Sequence, residues 1–234
     1  ERVLSISTAI LIPTLMVITG TQVSLWQNSI SVFKHAFRVA NEKSYNSYLI
    51  NYYLGNAFWD KRKTEEAVSY YKMSIKLNPN YPWTHYNLGK ALSFAGMNEK
   101  AISHYKMAIK HKPDYAKAYN NIGIILSTVG KNEEAISYYR MAVKFKPDFA
   151  PAHSNLGNAL SSKRKWEEAI SHYRMATKLE PGFAEAHHNF GNALFQKGKV
   201  KEAIDHYKKT LRIRPDFVPA QKNLEMALRV DKTK

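Results

Sequence analysis

Apolar residues along most of this chain recur at helical spacing. Leu88 and Leu92 mark one stripe, and Ala101, Ile102, Tyr105 and Ala108 form a second at i, i+1, i+4 and i+7. Each stripe predicts an amphipathic helix, so the stretch reads as a helical hairpin. Gly96 stands between them, where a left-handed residue would end the first helix. Pro113 follows the second and stops it, because proline cannot continue a helix.

The same hairpin returns along the chain. Prolines fall at Pro79, Pro113, Pro147, Pro181 and Pro215, each 34 residues after the last. Gly55, Gly89, Gly123, Gly157 and Gly191 keep that step, as do Ala67, Ala101, Ala135, Ala169 and Ala203, and Tyr71, Tyr105, Tyr139, Tyr173 and Tyr207. The glycines should remove a side chain where the second helix approaches closely, and the small alanines should permit a tight crossing. The tyrosines are expected to fill space between adjacent units. Arg62 and Arg164 replace the turn glycine of Gly96, Gly130 and Gly198, which predicts two strained turns.

A 34-residue period with these residues resembles the tetratricopeptide repeat family. The resemblance implies an all-α, right-handed superhelix with units at 48–81, 82–115, 116–149, 150–183 and 184–217. A further helix over about 218–230 would cap the end, with polar Glu225 in the glycine position. Upstream, the segment 26–47 reads as a degenerate half-repeat and linker, since Ser29, Phe33 and Ala36 keep the spacing of Ala101, Tyr105 and Ala108.

Val3 to Leu25 carries no charge. As a helix that run would be about 34 Å long, against roughly 30 Å of bilayer hydrocarbon. We read residues 1–25 as a transmembrane helix. A signal sequence and a buried helix diluted by Ser and Thr are the alternatives. The first residue is Glu1, so the chain is expected to be the C-terminal portion of a longer protein. From Trp26 to Ala36 the pattern W-x-N-S-x-x-x-F-x-H-A, placed after an apolar run and before such repeats, resembles multi-spanning protein mannosyltransferase-like membrane glycosyltransferases. That resemblance implies a substrate-recruiting tail facing periplasm or lumen, with the catalytic carboxylates upstream.

Five asparagines also step by 34: Asn87, Asn121, Asn155, Asn189 and Asn223. Each precedes a buried apolar residue, so the side chains should point to the concave side of the array. Their N-L-G setting is similar to the asparagine ladder in the repeats of O-GlcNAc transferases, which implies a grip on the backbone of an extended peptide. An amide offers donor and acceptor together. Bonding within the array is the other reading of the same residues. Tyr86, Asn120, Asn158, His188 and Asn192 are expected beside the ladder. Lys90, Lys117 and Lys222 do not form the constellation of a dicarboxylate clamp.

The charge is +16, from 35 basic and 19 acidic residues. Acids lie early in the second helices and bases late, which suits the helix dipole. The surplus still leaves a stripe, Lys72, Lys106, Arg140, Arg174 and Lys208 with Lys76, Lys110, Lys144, Lys178 and Arg212, that could rest near anionic headgroups. No nucleic-acid module is recognisable. There is no cysteine, which excludes disulfides and thiol chemistry. The histidines share repeat positions with tyrosine and read as packing residues, since equivalent ones about 10 Å apart cannot share a metal. No catalytic fingerprint appears. The expectation is therefore a membrane-tethered scaffold without enzymatic residues, cofactor or metal, binding a protein or extended peptide.

Overall fold

The computed structural model describes Phe33 and residues 47–232. These form α-helices joined by short turns, without a strand among the described residues. They divide into two compact units, one ending at Lys112 and the other starting at Pro113. The first unit holds α1 (Ser47–Asp60), α2 (Thr64–Leu77), α3 (Pro82–Phe94) and α4 (Asn98–His111). The second holds α5 (Ala116–Thr128), α6 (Asn132–Phe145), α7 (Ala150–Ser162), α8 (Trp166–Leu179), α9 (Ala184–Gln196), α10 (Val200–Ile213) and α11 (Val218–Lys232).

Within each unit a helix packs on its hairpin partner, and the second helix of one hairpin packs on the first of the next. The second helices begin with acid, for example Glu133 and Glu134 in α6, and end with base, Lys144. None of the caps at the starts of α2 to α10 is a side-chain hydrogen bond. Charge placement and packing therefore define these helix starts.

The turn after each first helix closes by a backbone bond five residues back: Lys63 N to Phe58 O, Met97 N to Leu92 O, Lys131 N to Leu126 O, Lys165 N to Leu160 O and Lys199 N to Leu194 O, all at 2.8–3.0 Å. That closure needs a left-handed residue just before it. Gly96, Gly130 and Gly198 supply φ of 74–79°, whereas Arg62 and Arg164 are forced to 59° and 57°. A side chain there is strained by about 1–2 kcal/mol, partly offset by glycine's greater freedom in the unfolded chain. Arg62→Gly and Arg164→Gly should each raise stability by about 0.5–1 kcal/mol in urea titrations. A loss of stability in both would show the turns to be unstrained.

Leu54, Leu88, Ile122, Leu156 and Phe190 lie in the core of their hairpins, facing fully buried Ala67, Ala101, Ala135, Ala169 and Ala203. The tyrosines pack within their own hairpin as well as toward the next one. Each ring covers the glycine of its own hairpin: a Cβ built on Gly89, Gly123, Gly157 or Gly191 would stand 2.6–2.7 Å from Cε1 of Tyr105, Tyr139, Tyr173 or Tyr207. Tyr173 also reaches the next repeat, stacking on Phe190 at 6.4 Å. In α11, Ala220 and Ala227 are buried while Glu225 is exposed and pairs with Arg229 at 2.6 Å.

The expected transmembrane run and nearly all of the 26–46 segment lie outside the described residues. Phe33 is helical, and its ring stacks on Tyr53 at 5.6 Å. Among the described residues no helix is long and apolar enough to cross a membrane.

Candidate functional site

The ladder asparagines emerge from the first helices one position before the buried stripe, so they lie at its edge, half-exposed. The amides of Asn87, Asn155, Asn189 and Asn223 are tied to the preceding hairpin. In the first unit, Asn87 Nδ2 donates to Asn56 Oδ1 at 2.8 Å and to the Tyr52 hydroxyl at 3.4 Å. Asn56 Oδ1 also accepts the Tyr71 hydroxyl at 2.8 Å. In the second unit, Asn189 donates to Asn158 at 2.9 Å and Asn223 to Asn192 at 2.8 Å. Tyr173 and Tyr207 close the same triangles at 2.8 and 2.9 Å.

Asn155 breaks the pattern for a visible reason. Ile124 stands where Asn56, Asn158 and Asn192 stand in other repeats, so Asn155 turns instead to Asn120 Oδ1 at 3.0 Å. Asn120 is buried, and His188 occupies the equivalent place, meeting Asn223 at 3.1 Å. Burial lowers the His188 pKa, which keeps Nε2 available as an acceptor. Asn121 lies half-buried in the ladder register, and Tyr86 stands one position before Asn87, its ring 5.8 Å from Tyr105. Burial pushes Tyr139, Tyr173 and Tyr207 up to about 12, so these phenols stay protonated.

This network revises the chemistry expected of the ladder. The NH₂ groups of Asn87, Asn155, Asn189 and Asn223 face the neighbouring hairpin, so each amide is oriented before any ligand arrives. What these residues offer outward is a carbonyl oxygen. The complementary NH₂ comes from Asn56, Asn158 and Asn192, whose own oxygens are occupied. Asn56 and Tyr52 were not among the expected site residues. The signal for Asn56 lies in the 31-residue interval that Asn56–Asn87 shares with Asn158–Asn189 and Asn192–Asn223.

The histidines show a contact that the repeat positions alone do not. Those assigned to separate repeat positions meet inside one hairpin: Nδ1 atoms face each other in His85–His104 at 3.2 Å, His153–His172 at 3.1 Å and His187–His206 at 3.0 Å. Nε2 of His85, His153 and His187 reaches the carbonyl of Pro79, Pro147 and Pro181 at 2.8–3.1 Å. A carbonyl only accepts, so that nitrogen carries the proton and Nδ1 is bare. His104, His172 and His206 must then donate from Nδ1. Burial and the facing histidine push these three down to about 4. Among the described residues no group of three or more His, Asp or Glu could hold a metal ion.

All ten cations of the basic stripe are exposed. Among the described residues Arg140, bonded to Glu168 at 3.1 Å, is the stripe member in an ion pair. Lys117 and Lys222 are exposed, while the Lys90 ammonium lies 5.5 Å from the Trp59 ring and 5.9 Å from that of Tyr86.

Tetratricopeptide repeat families match residues 55–93, 84–115, 116–149 and 154–216. No curated protein matches the chain in sequence. Among solved structures, YrrB, described as a TPR protein with an unusual peptide-binding site, superposes with a TM-score of 0.66 at 20% identity, over 81% of this chain and 96% of that one. A MamA crystal structure gives 0.63 at 27%, over 69% and 95%. MamA from Desulfovibrio magneticus RS-1 gives 0.65 at 22%, over 76% and 98%. Residues 55–149 and 154–216 of this chain are tetratricopeptide repeats.

Proposed function

We propose that this chain is an interaction scaffold that binds an extended peptide, or an extended segment of a partner protein, along its first helices. One observation carries the reading. Carbonyls from Asn87, Asn189 and Asn223 and amino groups from Asn56, Asn158 and Asn192 are held side by side by bonds between hairpins. A backbone amide needs such a donor and acceptor, and a site oriented in advance loses less entropy on binding. The peptide-binding site ascribed to YrrB supports the same use of this fold. The membrane tether and the glycosyltransferase link rest on residues 1–36 alone, and nothing in the repeats bears on them.

The test is selection of linear peptides from a random displayed library on the full chain, then affinity measurement with Asn155→Ala, Asn189→Ala and Asn223→Ala combined. Each lost link should lower stability by about 1 kcal/mol, so the variant stays folded but melts earlier. Peptide affinity should fall at least about tenfold. If melting falls and affinity does not, the ladder serves the fold alone and the reading is wrong.

A further inference from the structure

The first unit departs from its own repeat pattern where Asn56 meets Asn87. A depression of about 280 Å³ opens there, lined by Asn56, Trp59, Asp60, Tyr71, Asn87 and Lys90. Repeats two to four place Ser93, Ser127 and Ser161 at the position of Trp59. At the position of Lys90 the others carry Asn56, Ile124, Asn158, Asn192 and Met226. Neither substitution is asked for by the hairpin, because the repeats that lack them fold the same way.

Phe94 adds to this. It is 76% exposed and stands edge-on to Trp59, centroids 5.6 Å apart. Leaving a ring of that size in water forgoes the gain of burying it. Trp59 lines the depression and exposed Phe94 stands against it, the composition of a binding hot spot rather than of a solvated helix end. Lys90 rests on two rings, where it makes no ion pair among the described residues, and Asp60 lines the same depression. A cation so placed gains from an anion arriving in a part-desolvated site.

We propose that this depression is an anchor subsite for a bulky apolar side chain whose neighbouring residue bears a carboxylate. The apolar group enters against Trp59 and Phe94, the carboxylate meets Lys90, and the backbone between them lies on Asn56 and Asn87. The proposal rests on the peptide-binding reading and adds the residue chemistry that the first unit selects.

Fluorescence anisotropy of the full chain with labelled hexapeptides tests it. Ala-Ala-Phe-Glu-Ala-Ala should bind about tenfold more tightly than Ala-Ala-Phe-Lys-Ala-Ala or Ala-Ala-Ala-Glu-Ala-Ala. Phe94→Ala, at a site too exposed to disturb folding, should erase the advantage of Phe over Ala. Lys90→Glu should invert the preference between Glu and Lys. Equal binding of the three peptides, or variants that discriminate as the parent does, would overturn the anchor. In that event peptides selected from the library still bind through the ladder. Failure of the library selection as well would remove the underlying reading together with the anchor.

Discussion

Acidifying the protein from about pH 7 to about pH 4.5 should remove roughly 3–6 kcal/mol of stability, most of it before the carboxylates protonate. The cause is the three histidine pairs. In each, one ring donates Nε2–H to a proline carbonyl and the other donates Nδ1–H to the first, and burial opposes a proton on His104, His172 and His206. Cations oppose it as well. Lys72 opposes a proton on His104, Lys209 and Arg174 oppose one on His206, and Arg140 opposes one on His172 against the milder pull of Glu168.

A histidine bound less tightly to protons when folded contributes stability that is whole above its unfolded pKa. That contribution is lost as pH falls. Here the window runs from the ordinary 6.5 down to about 4. A tenfold change in proton affinity is worth about 1.4 kcal/mol, which puts a ceiling of roughly 3 kcal/mol on each pair. These rings are only partly buried, and screening reduces the share of each to about 1–2 kcal/mol. The third repeat shows the control, since it carries Tyr119 and Tyr138, rings 6.3 Å apart, in the same two places. Replacing His153, His172, His187 and His206 by Tyr should therefore flatten the urea midpoint of the second unit across that pH range. A parent protein whose midpoint is already flat there would show that the pairs do not hold the hairpins.

Those pairs also mark where reading the sequence stopped short. The 34-residue step predicts which residues are equivalent, and the turn glycines and Arg62 and Arg164 that it singles out have positive φ between helices. It says nothing about residues 19 apart that meet across a hairpin, such as His85 and His104. The clue was present: where one histidine becomes Tyr119, its partner becomes Tyr138. Read singly, each replacement looked like packing. Read together, they describe a contact.

The ladder shows the same division. The positions of Asn87, Asn155, Asn189 and Asn223 were plain from their period, and so was the company of Asn158, Asn192 and His188. Which atoms stay available depends on where the amide bonds, and that is set by a residue in another hairpin. Ile124 in place of Asn diverts Asn155 to Asn120. The tyrosines are legible only in part for a related reason. A ring that recurs once per repeat fits between repeats or within one, and only the close approach of backbone at its own glycine reveals the second contact.

That approach makes Gly157→Ala a damaging small change in the second unit. Helix propensity alone would favour alanine by about 1 kcal/mol, since Gly157 lies inside α7. Packing opposes it. The new Cβ would stand 2.6, 2.8 and 2.9 Å from three ring atoms of Tyr173. The ring cannot easily move, because it is buried and its hydroxyl is held by Asn158 at 2.8 Å and Ser161 at 3.2 Å. Displacing it costs about 1–3 kcal/mol of overpacking, plus about 1 kcal/mol for each hydrogen bond released. The net expectation is a loss of about 2 kcal/mol, and it reaches the site, since Asn158 also receives Asn189. Gly182→Ala, with open space around its Cβ, should by contrast leave stability unchanged within about 0.5 kcal/mol. Tyr173→Leu alone should be destabilising, yet in combination it should recover part of the Gly157→Ala loss by making room for the methyl group. A double-mutant cycle measured by urea unfolding reads that coupling directly. Additive losses would mean that the ring and the glycine do not constrain one another, and that the tyrosine recurs for its hydroxyl alone.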